Sequence, residues 1–346
     1  MRPRFVEKGS GLGVDALSRQ IFVAIASYAD PELPRTLRDC IAQADKPDDL
    51  RFGICVQEDR LAPVPLDQFS QDARFRFIWR QVEESRGGPW ARNLAQSLWR
   101  GEPYTLQVDA HMKFESCWDT KLIEMLESVP SKKPVITMNA PLFHYDENGS
   151  LHRRFDMGVP TTRVTEWRAE NSWAPWFDFG PPNKQKLGRT RFINGNFAFS
   201  RGSWNVEVPQ DPDHYYWGEE FSVTVRSYTW GYDLFLPTEV VAWHMYHQTA
   251  PPRRHWEKGE AVVAERNATA LERLRRLLFS QRGRDGLGPY GLGPHRTLGD
   301  YEVYAGFDFR NKRAHPDVFT GANPDPVTIH TDEDWHRCVV TATSPH

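Results

Sequence analysis

The chain has 346 residues, of which 39% are hydrophobic, enough to bury one large core or two moderate ones. Its net charge of −3 and its isoelectric point near 6.5 argue against a basic surface for nucleic acid. It contains neither a run approaching the ~20 apolar residues of a membrane helix nor the apolar segment of a signal peptide. The four cysteines, Cys40, Cys55, Cys117 and Cys338, form no CxxC pair and are typical of free thiols, so we expect a cytoplasmic protein.

Strand and helix patterns alternate over the first 140 residues. Short apolar, β-favouring runs are typical of buried strands, and longer amphipathic segments that begin near Pro or Gly are typical of helices. The predicted strands cover 21–26, 52–56, 75–79, 106–108 and 135–139, and the predicted helices cover 33–44, 90–100 and 118–128. This alternation indicates an α/β fold with a mostly parallel, Rossmann-like sheet flanked by crossover helices.

The pattern changes after Ala140. Residues 141–190 are rich in Pro, Trp and charge, and we predict irregular insertions there. The remaining predicted elements are strands at 192–199 and 234–243, helices at 219–230 and 257–282, and a Gly/Pro-rich turn segment at 283–293. We therefore divide the chain into a leader (1–20), a main α/β domain (21–256), and a C-terminal helix and extension (257–346) that packs on that domain.

A pair of metal-binding residue types follows the strand at 106–108. Asp109 and His111 are two residues apart, so in extended backbone their side chains point to the same side. Ligands of open α/β sheets bind at the carboxyl ends of the strands, and a carboxylate with an imidazole suits Mn²⁺. His244, which ends an apolar run, is the predicted third ligand, and His247 is the alternative. The competing interpretation is a strand end with solvated polar residues and a structural histidine.

A second pattern, Arg86–Asn93, places two glycines before a predicted helix. Glycines let the backbone approach a ligand, and a helix N-terminus favours anions. Arg92 lies in the first turn of this helix, from which it could reach a diphosphate or a carboxylate such as Asp109. The alternative is a loop-to-helix junction with a solvated arginine.

A third pattern, Tyr215–Phe221, contains adjacent carboxylates at a predicted helix start. Neighbouring helical residues point about 100° apart, so we expect only one of Glu219 and Glu220 to face a ligand. That carboxylate would bind sugar hydroxyls beside the stacking face of Trp217, although capping of the helix dipole is an alternative. The segment Asn194–Asn196 interrupts a predicted strand with a glycine, which indicates a close approach of the backbone.

Five motifs in this order resemble those of a known family. They are Ile21–Glu32, Gly88–Arg92, Gln107–Met112, Tyr216–Glu220 and Trp243–His244. They resemble the glycosyltransferases that attach N-acetylglucosamine to a hydroxyproline of the Skp-type ubiquitin-ligase adaptor and, more distantly, the polypeptide N-acetylgalactosaminyltransferases. The resemblance covers about residues 20–250.

The resemblance implies a GT-A fold for residues 21–256, transfer from a UDP-sugar (UDP-N-acetylglucosamine in the family), and retention at the anomeric carbon. It implies a metal ion, Mn²⁺ or Mg²⁺, on Asp109, His111 and His244. With the residue patterns, it assigns catalytic roles to Glu219, Glu220 and Arg92. The predicted donor-binding residues are Ser27, Tyr28, Asp30, Arg92, Gln107, Asp109, Asn196 and Trp217.

Two other functions share this site. A metal phosphoesterase acting on nucleotide sugars would also use Asp109 and His111, but it needs a water-activating base and usually a second metal. A non-catalytic sugar-binding protein is the other alternative. For a transferase, the partners are a UDP-sugar and a hydroxyl-bearing protein, glycan or small molecule, and the favoured mechanism is front-side attack by the acceptor hydroxyl.

Overall fold

The computed structural model describes residues 19–155, 158–167, 175–216, 218–246, 259–280, 283 and 286–324. Its strands are β1 Ile21–Tyr28, β2 Leu50–Glu58, β3 Phe75–Gln81, β4 Tyr104–Asp109, β5 Met112–Phe114, β6 Pro134–Thr137, β7 Phe143–Tyr145, β8 Leu151–Arg153, β9 Pro160–Glu166, β10 Trp176–Pro182, β11 Phe197–Arg201, β12 Asp233–Phe235, β13 Ala242–His244, β14 Phe307–Asp308 and β15 Arg313–Ala314. Its α-helices are α1 Leu33–Ala42, α2 Asp67–Ser70, α3 Gly88–Gln96, α4 Trp118–Ser128, α5 Trp204–Glu207, α6 Glu219–Thr229, α7 Glu260–Phe279, α8 Leu298–Ala305 and α9 Pro316–Thr320. Within these residues, no helix combines the length and apolar character needed to cross a bilayer.

A seven-stranded sheet in the order β12-β6-β11-β4-β1-β2-β3 forms the centre of the fold. Strands β4, β1, β2 and β3 are parallel neighbours, whereas β11 is antiparallel to both β4 and β6. Most residues of β1 are buried, as expected for a strand covered on both faces. The predicted α/β class with a mostly parallel sheet is therefore confirmed.

Three predictions for the second half of the chain are wrong. The predicted strand 192–199 is shortened to β11, because residues 194–197 form a tight bridge before it. The predicted strand 234–243 is two strands, β12 and β13, which belong to different sheets; Pro237 lies between them and cannot donate to a ladder. The described parts of 141–190 contain two antiparallel hairpins, β7–β8 and β9–β10, instead of irregular insertions only.

A small antiparallel sheet, β5–β13, adjoins the end of β4. His244 pairs with Met112 in its register, one residue after His111. His244 therefore reaches Asp109 from this separate ladder, and not from the end of a strand in the main sheet. Pairing with β5 therefore brings a distant segment to the carboxyl end of β4.

The described part of the C-terminal segment shares a core with α6. Phe221 and Val225 of α6 pack in one buried cluster with Leu274 of α7 and with Tyr301 and Phe307. The Tyr301 hydroxyl also donates to the Arg191 carbonyl at 2.8 Å. The helix that carries Glu219 is thus backed by residues beyond 257, while the boundary at 256 stays a prediction.

We expect Phe307→Ala to lower the free energy of unfolding by roughly 3–5 kcal/mol, because it empties a buried aromatic site. Val303→Ala on the neighbouring helix is the matched control, since that side chain is 45% exposed. Urea denaturation followed by tryptophan fluorescence measures both. A different result would be the loss of a small, separate unfolding transition in Phe307→Ala, with the midpoint of the main transition unchanged. That result would show that the C-terminal extension folds independently of the main domain.

Candidate active site

Asp109, His111 and His244 form the cluster with metal-ligand geometry. One ligand atom from each lies within 4.8 Å of the others. His244 Nε2 is 3.2 Å from Asp109 Oδ2, and the two imidazole rings are 4.6 Å apart between centroids. A carboxylate and two imidazoles match the oxygen and nitrogen donors that first-row divalent ions accept, so the residues fit a metal ion such as Mn²⁺.

The electrostatics of the cluster keep Asp109 ionised. Burial alone would raise the pKa of Asp109, but the Arg92 guanidinium and the hydrogen bond with His244 hold it well below its usual value. Burial and the nearby His111 lower the pKa of His244. An anionic carboxylate beside a neutral imidazole is the protonation state that metal coordination requires.

Arg92 of α3 connects the cluster to helix α6. Its Nη2 donates to Asp109 Oδ1 at 2.7 Å, and its Nη1 contacts the Glu219 carboxylate. Its side chain is largely buried, so these ion pairs are shielded from solvent. The sequence left a diphosphate or a carboxylate open as its partner, and here the guanidinium lies between two carboxylates.

Both carboxylates at the start of α6 face the site, which corrects the expectation that only one does. Gly218, at φ +75°, turns the chain into the helix, and Glu219 and Glu220 occupy its first two positions. Glu220 Oε1 accepts a hydrogen bond from the Gly195 amide at 2.5 Å. Burial and the adjacent Glu219 charge raise the pKa of Glu220 to about 7. We expected the angle of about 100° between neighbouring helical side chains to direct one carboxylate away from the site. At a helix start, however, Glu219 and Glu220 can reach different partners, and both face the site.

A cavity of about 330 Å³ lies beside the cluster. Of the three cluster members, Asp109 lines it, together with Arg92, Glu219 and Glu220. Most of the other lining residues carry amides or aromatic rings: Asn139, Asn194, Asn196, Trp176, Phe177, Tyr216, Phe221 and Tyr246; Pro175, Asp178 and Gly218 complete the wall. A mixed polar and aromatic lining of this size suits a sugar ring.

Sequence reasoning missed several cavity residues. Trp176 belongs to β10, within the segment predicted to be irregular. Asn139 and Tyr246 received no role, yet the Tyr246 hydroxyl is 2.5 Å from Asn139 Oδ1 and accepts from Asn196 Nδ2 at 3.1 Å. The high density of tryptophan between 167 and 256 was the available signal, but it did not indicate which rings share a cavity.

The predicted nucleotide-binding residues have diverse surroundings. Ser27 is buried at the end of β1, and Tyr28 follows it half-buried. Gln107 Nε2 donates to the Gly195 carbonyl at 3.1 Å. Asp30 is 2.6 Å from His111 Nδ1. Trp217 and the alternative ligand His247 lie outside the described residues.

A family model described as "Glycosyltransferase (GlcNAc)" matches residues 20–72 and 65–311. The match extends over most of the chain, so the chain belongs to this glycosyltransferase family. The family match confirms the enzyme class predicted from the sequence, a glycosyltransferase. No curated protein sequence matches the chain significantly.

Two solved structures are similar to the chain. The chain is similar to GalNAc-T7, crystallised with UDP, GalNAc and Mn²⁺, with a TM-score of 0.54 and 14% identity over 79% of this chain and 52% of that one. It thus spans about half the length of that structure. A crystal structure of S. aureus TarS with UDP-GlcNAc has a TM-score of 0.43 and 11% identity over 76% of this chain and 68% of that one. The similarity to GalNAc-T7 confirms the predicted GT-A fold.

We expect Gly195→Ala to lower the free energy of unfolding by roughly 1–3 kcal/mol. A Cβ at this position would lie 2.8 Å from Arg92 Nη1 and 3.2 Å from Glu220 Oε1, so it would displace the buried guanidinium from its carboxylates. Gly88→Ala on the helix of Arg92 is the control, because its Cβ meets nothing within 4 Å. Chemical denaturation compares them, and equal stabilities would contradict the close approach.

Proposed function

We propose that the protein is a metal-dependent, retaining glycosyltransferase that moves N-acetylglucosamine, or a related hexosamine or hexose, from a UDP-sugar to a hydroxyl acceptor. One observation carries this proposal: Asp109 belongs both to a three-residue metal-ligand cluster and to the wall of a sugar-sized cavity. A donor bridging the two would place its diphosphate at the cluster and its sugar in the cavity.

The cluster would serve the leaving group. When the sugar departs, negative charge builds up on UDP. A divalent ion held by Asp109, His111 and His244 would act as a Lewis acid on the diphosphate oxygens. The chain's own contribution is Arg92, which holds Asp109 in place and adds a fixed positive charge near the developing negative charge.

The cavity would hold the donor sugar. Ionised carboxylates accept hydrogen bonds, so Glu219 and Glu220 are suited to orient sugar hydroxyls. Both are already held, Glu219 by Arg92 and Glu220 by the Gly195 amide, which favours positioning over nucleophilic attack. We therefore infer front-side attack: the acceptor oxygen bonds to the anomeric carbon as the bond to phosphate breaks, and the departing phosphate takes the acceptor proton.

The rest of the donor-binding set follows from the sequence. Ser27, Tyr28, Asp30 and Gln107 lie on or just after β1 and β4, the central strands that end at the site, and we assign the nucleotide to this end of the sheet. Asn196 lines the sugar cavity, and Trp217 is proposed to stack on the sugar. We also propose a cytoplasmic location, consistent with free thiols at Cys40, Cys55 and Cys117.

Purified protein incubated with Mn²⁺ and UDP-N-acetylglucosamine, UDP-N-acetylgalactosamine or UDP-glucose should release UDP only when a hydroxyl acceptor is added. Hydroxyproline peptides, glycans and simple alcohols provide the acceptor panel. Asp109→Ala and His111→Ala should each reduce release at least ~10³-fold, because metal binding and charge neutralisation are lost together. His152→Ala, which removes an exposed histidine paired with Asp146, is the control.

The outcomes separate the candidate functions. Sustained release of UMP and sugar 1-phosphate without any acceptor, the two products of water cleaving the diphosphate, would indicate the phosphoesterase. Donor binding with no turnover across the acceptor panel would favour the non-catalytic sugar-binding protein. Full metal-dependent activity in a folded Asp109→Ala or His111→Ala protein would overturn the metal assignment.

The raised pKa of Glu220 predicts a pH dependence. Ionised Glu220 accepts at both oxygens, so it can accept from Gly195 and from a sugar hydroxyl together, and protonation below about pH 7 turns one of these oxygens into a donor. We expect kcat/KM to fall about tenfold per pH unit well below that value. Glu220→Gln should be less active overall but lack this acidic limb, whereas Glu272→Gln on the surface should retain it. If Glu220→Gln kept the acidic limb of the kcat/KM profile, that limb would reflect the titration of another group.

A further inference from the structure

We propose that Asp30 is a positioning residue that fixes the tautomer of His111, so that His111 Nε2 is presented to the metal ion. The inference rests on the proposed function, because it assigns a role to a neighbour of the proposed metal site. It gives Asp30 a role in addition to the donor binding proposed above.

The two carboxylate oxygens of Asp30 have separate partners. Oδ2 lies 2.6 Å from His111 Nδ1, and Oδ1 accepts from the Glu32 amide at 2.8 Å. Asp30 is 5% exposed. With Nδ1 directed at a carboxylate, Nε2 is the imidazole nitrogen left for Asp109 and His244. Metal-binding histidines commonly donate their other ring N–H to a carboxylate, which sets the tautomer and ring orientation.

The loop that carries Asp30 is held by contacts within the protein. Ala29 has a φ of +46°, a conformation that a non-glycine residue adopts only when its surroundings impose it, and its amide donates to the Gln57 carbonyl at 2.8 Å. Glu32 Oε1 is contacted by Lys113 Nζ at 3.2 Å and by the Tyr145 hydroxyl at 2.6 Å. These mostly buried contacts fix the position of the Asp30 carboxylate relative to β5.

An amide at position 30 would have a specific chemical effect. The side chain of Asn has one acceptor and one donor group, whereas Asp30 accepts at both oxygens. If the amide oxygen accepts from Glu32, the NH₂ group faces His111 Nδ1 and requires that nitrogen to accept. A neutral His111 would then carry its proton on Nε2, the nitrogen needed by the metal.

Nitrogen-15 NMR of metal-free protein labelled at histidine reads this tautomer directly. At alkaline pH, wild-type His111 should be protonated at Nδ1, and Asp30→Asn should shift the proton to Nε2; the spectrum of His111→Ala assigns the resonance. A wild-type His111 protonated at Nε2 would overturn the inference.

Calorimetric titration with MnCl₂, without nucleotide, provides the second measurement. Asp30→Asn should bind Mn²⁺ roughly 10–100-fold more weakly than wild type. Asp146→Asn, which alters the exposed pair with His152, should bind as wild type does. Equal affinities of wild type and a folded Asp30→Asn protein would refute the positioning role and leave the proposed function intact. Absence of Mn²⁺ binding by wild type would instead count against the proposed function.

Discussion

A buried arginine between carboxylates is the interaction on which the site depends. Asp109 and Glu219 come from different elements, and both contact the guanidinium of Arg92. Without a cation, such carboxylates in a poorly solvated site would repel one another and take up protons. Arg92 cannot lose its proton at physiological pH, so it keeps Asp109 anionic and ready to serve as a metal ligand.

The same contact joins the two halves of the site. On one side of Asp109 lie His111 and His244, and on the other lies the cavity with Glu219 and Glu220. Gly195 lets the backbone pass close to Arg92 and donates to Glu220, so no side chain separates the guanidinium from α6. The charge neutralisation and the sugar binding that we propose would therefore depend on one connected set of contacts.

Local sequence rules predicted those parts of the site that depend on neighbouring residues. The two-residue spacing of Asp109 and His111 after a strand placed both on one side, and the structure has them in one cluster. The rule that neighbouring helical side chains point about 100° apart failed at α6. Glu219 and Glu220 both face the site because each has a partner from another element. The pattern rules also failed for β9–β10, where Trp176 and Phe177 are half-buried on a strand that shows no clear apolar alternation.

The sequence by itself determined the alternating α/β elements, the mostly parallel sheet, and the position of Asp109 and His111 at the end of β4, because periodicity and turn residues act over a few positions. Only the tertiary structure decided how His244 meets Asp109, 135 positions away, through the β5–β13 ladder. It also decided that Asp30 meets His111 and that the C-terminal segment supports α6. Strand register and helix packing are set by complementary surfaces that are distant in sequence, and local patterns carry little information about such pairings.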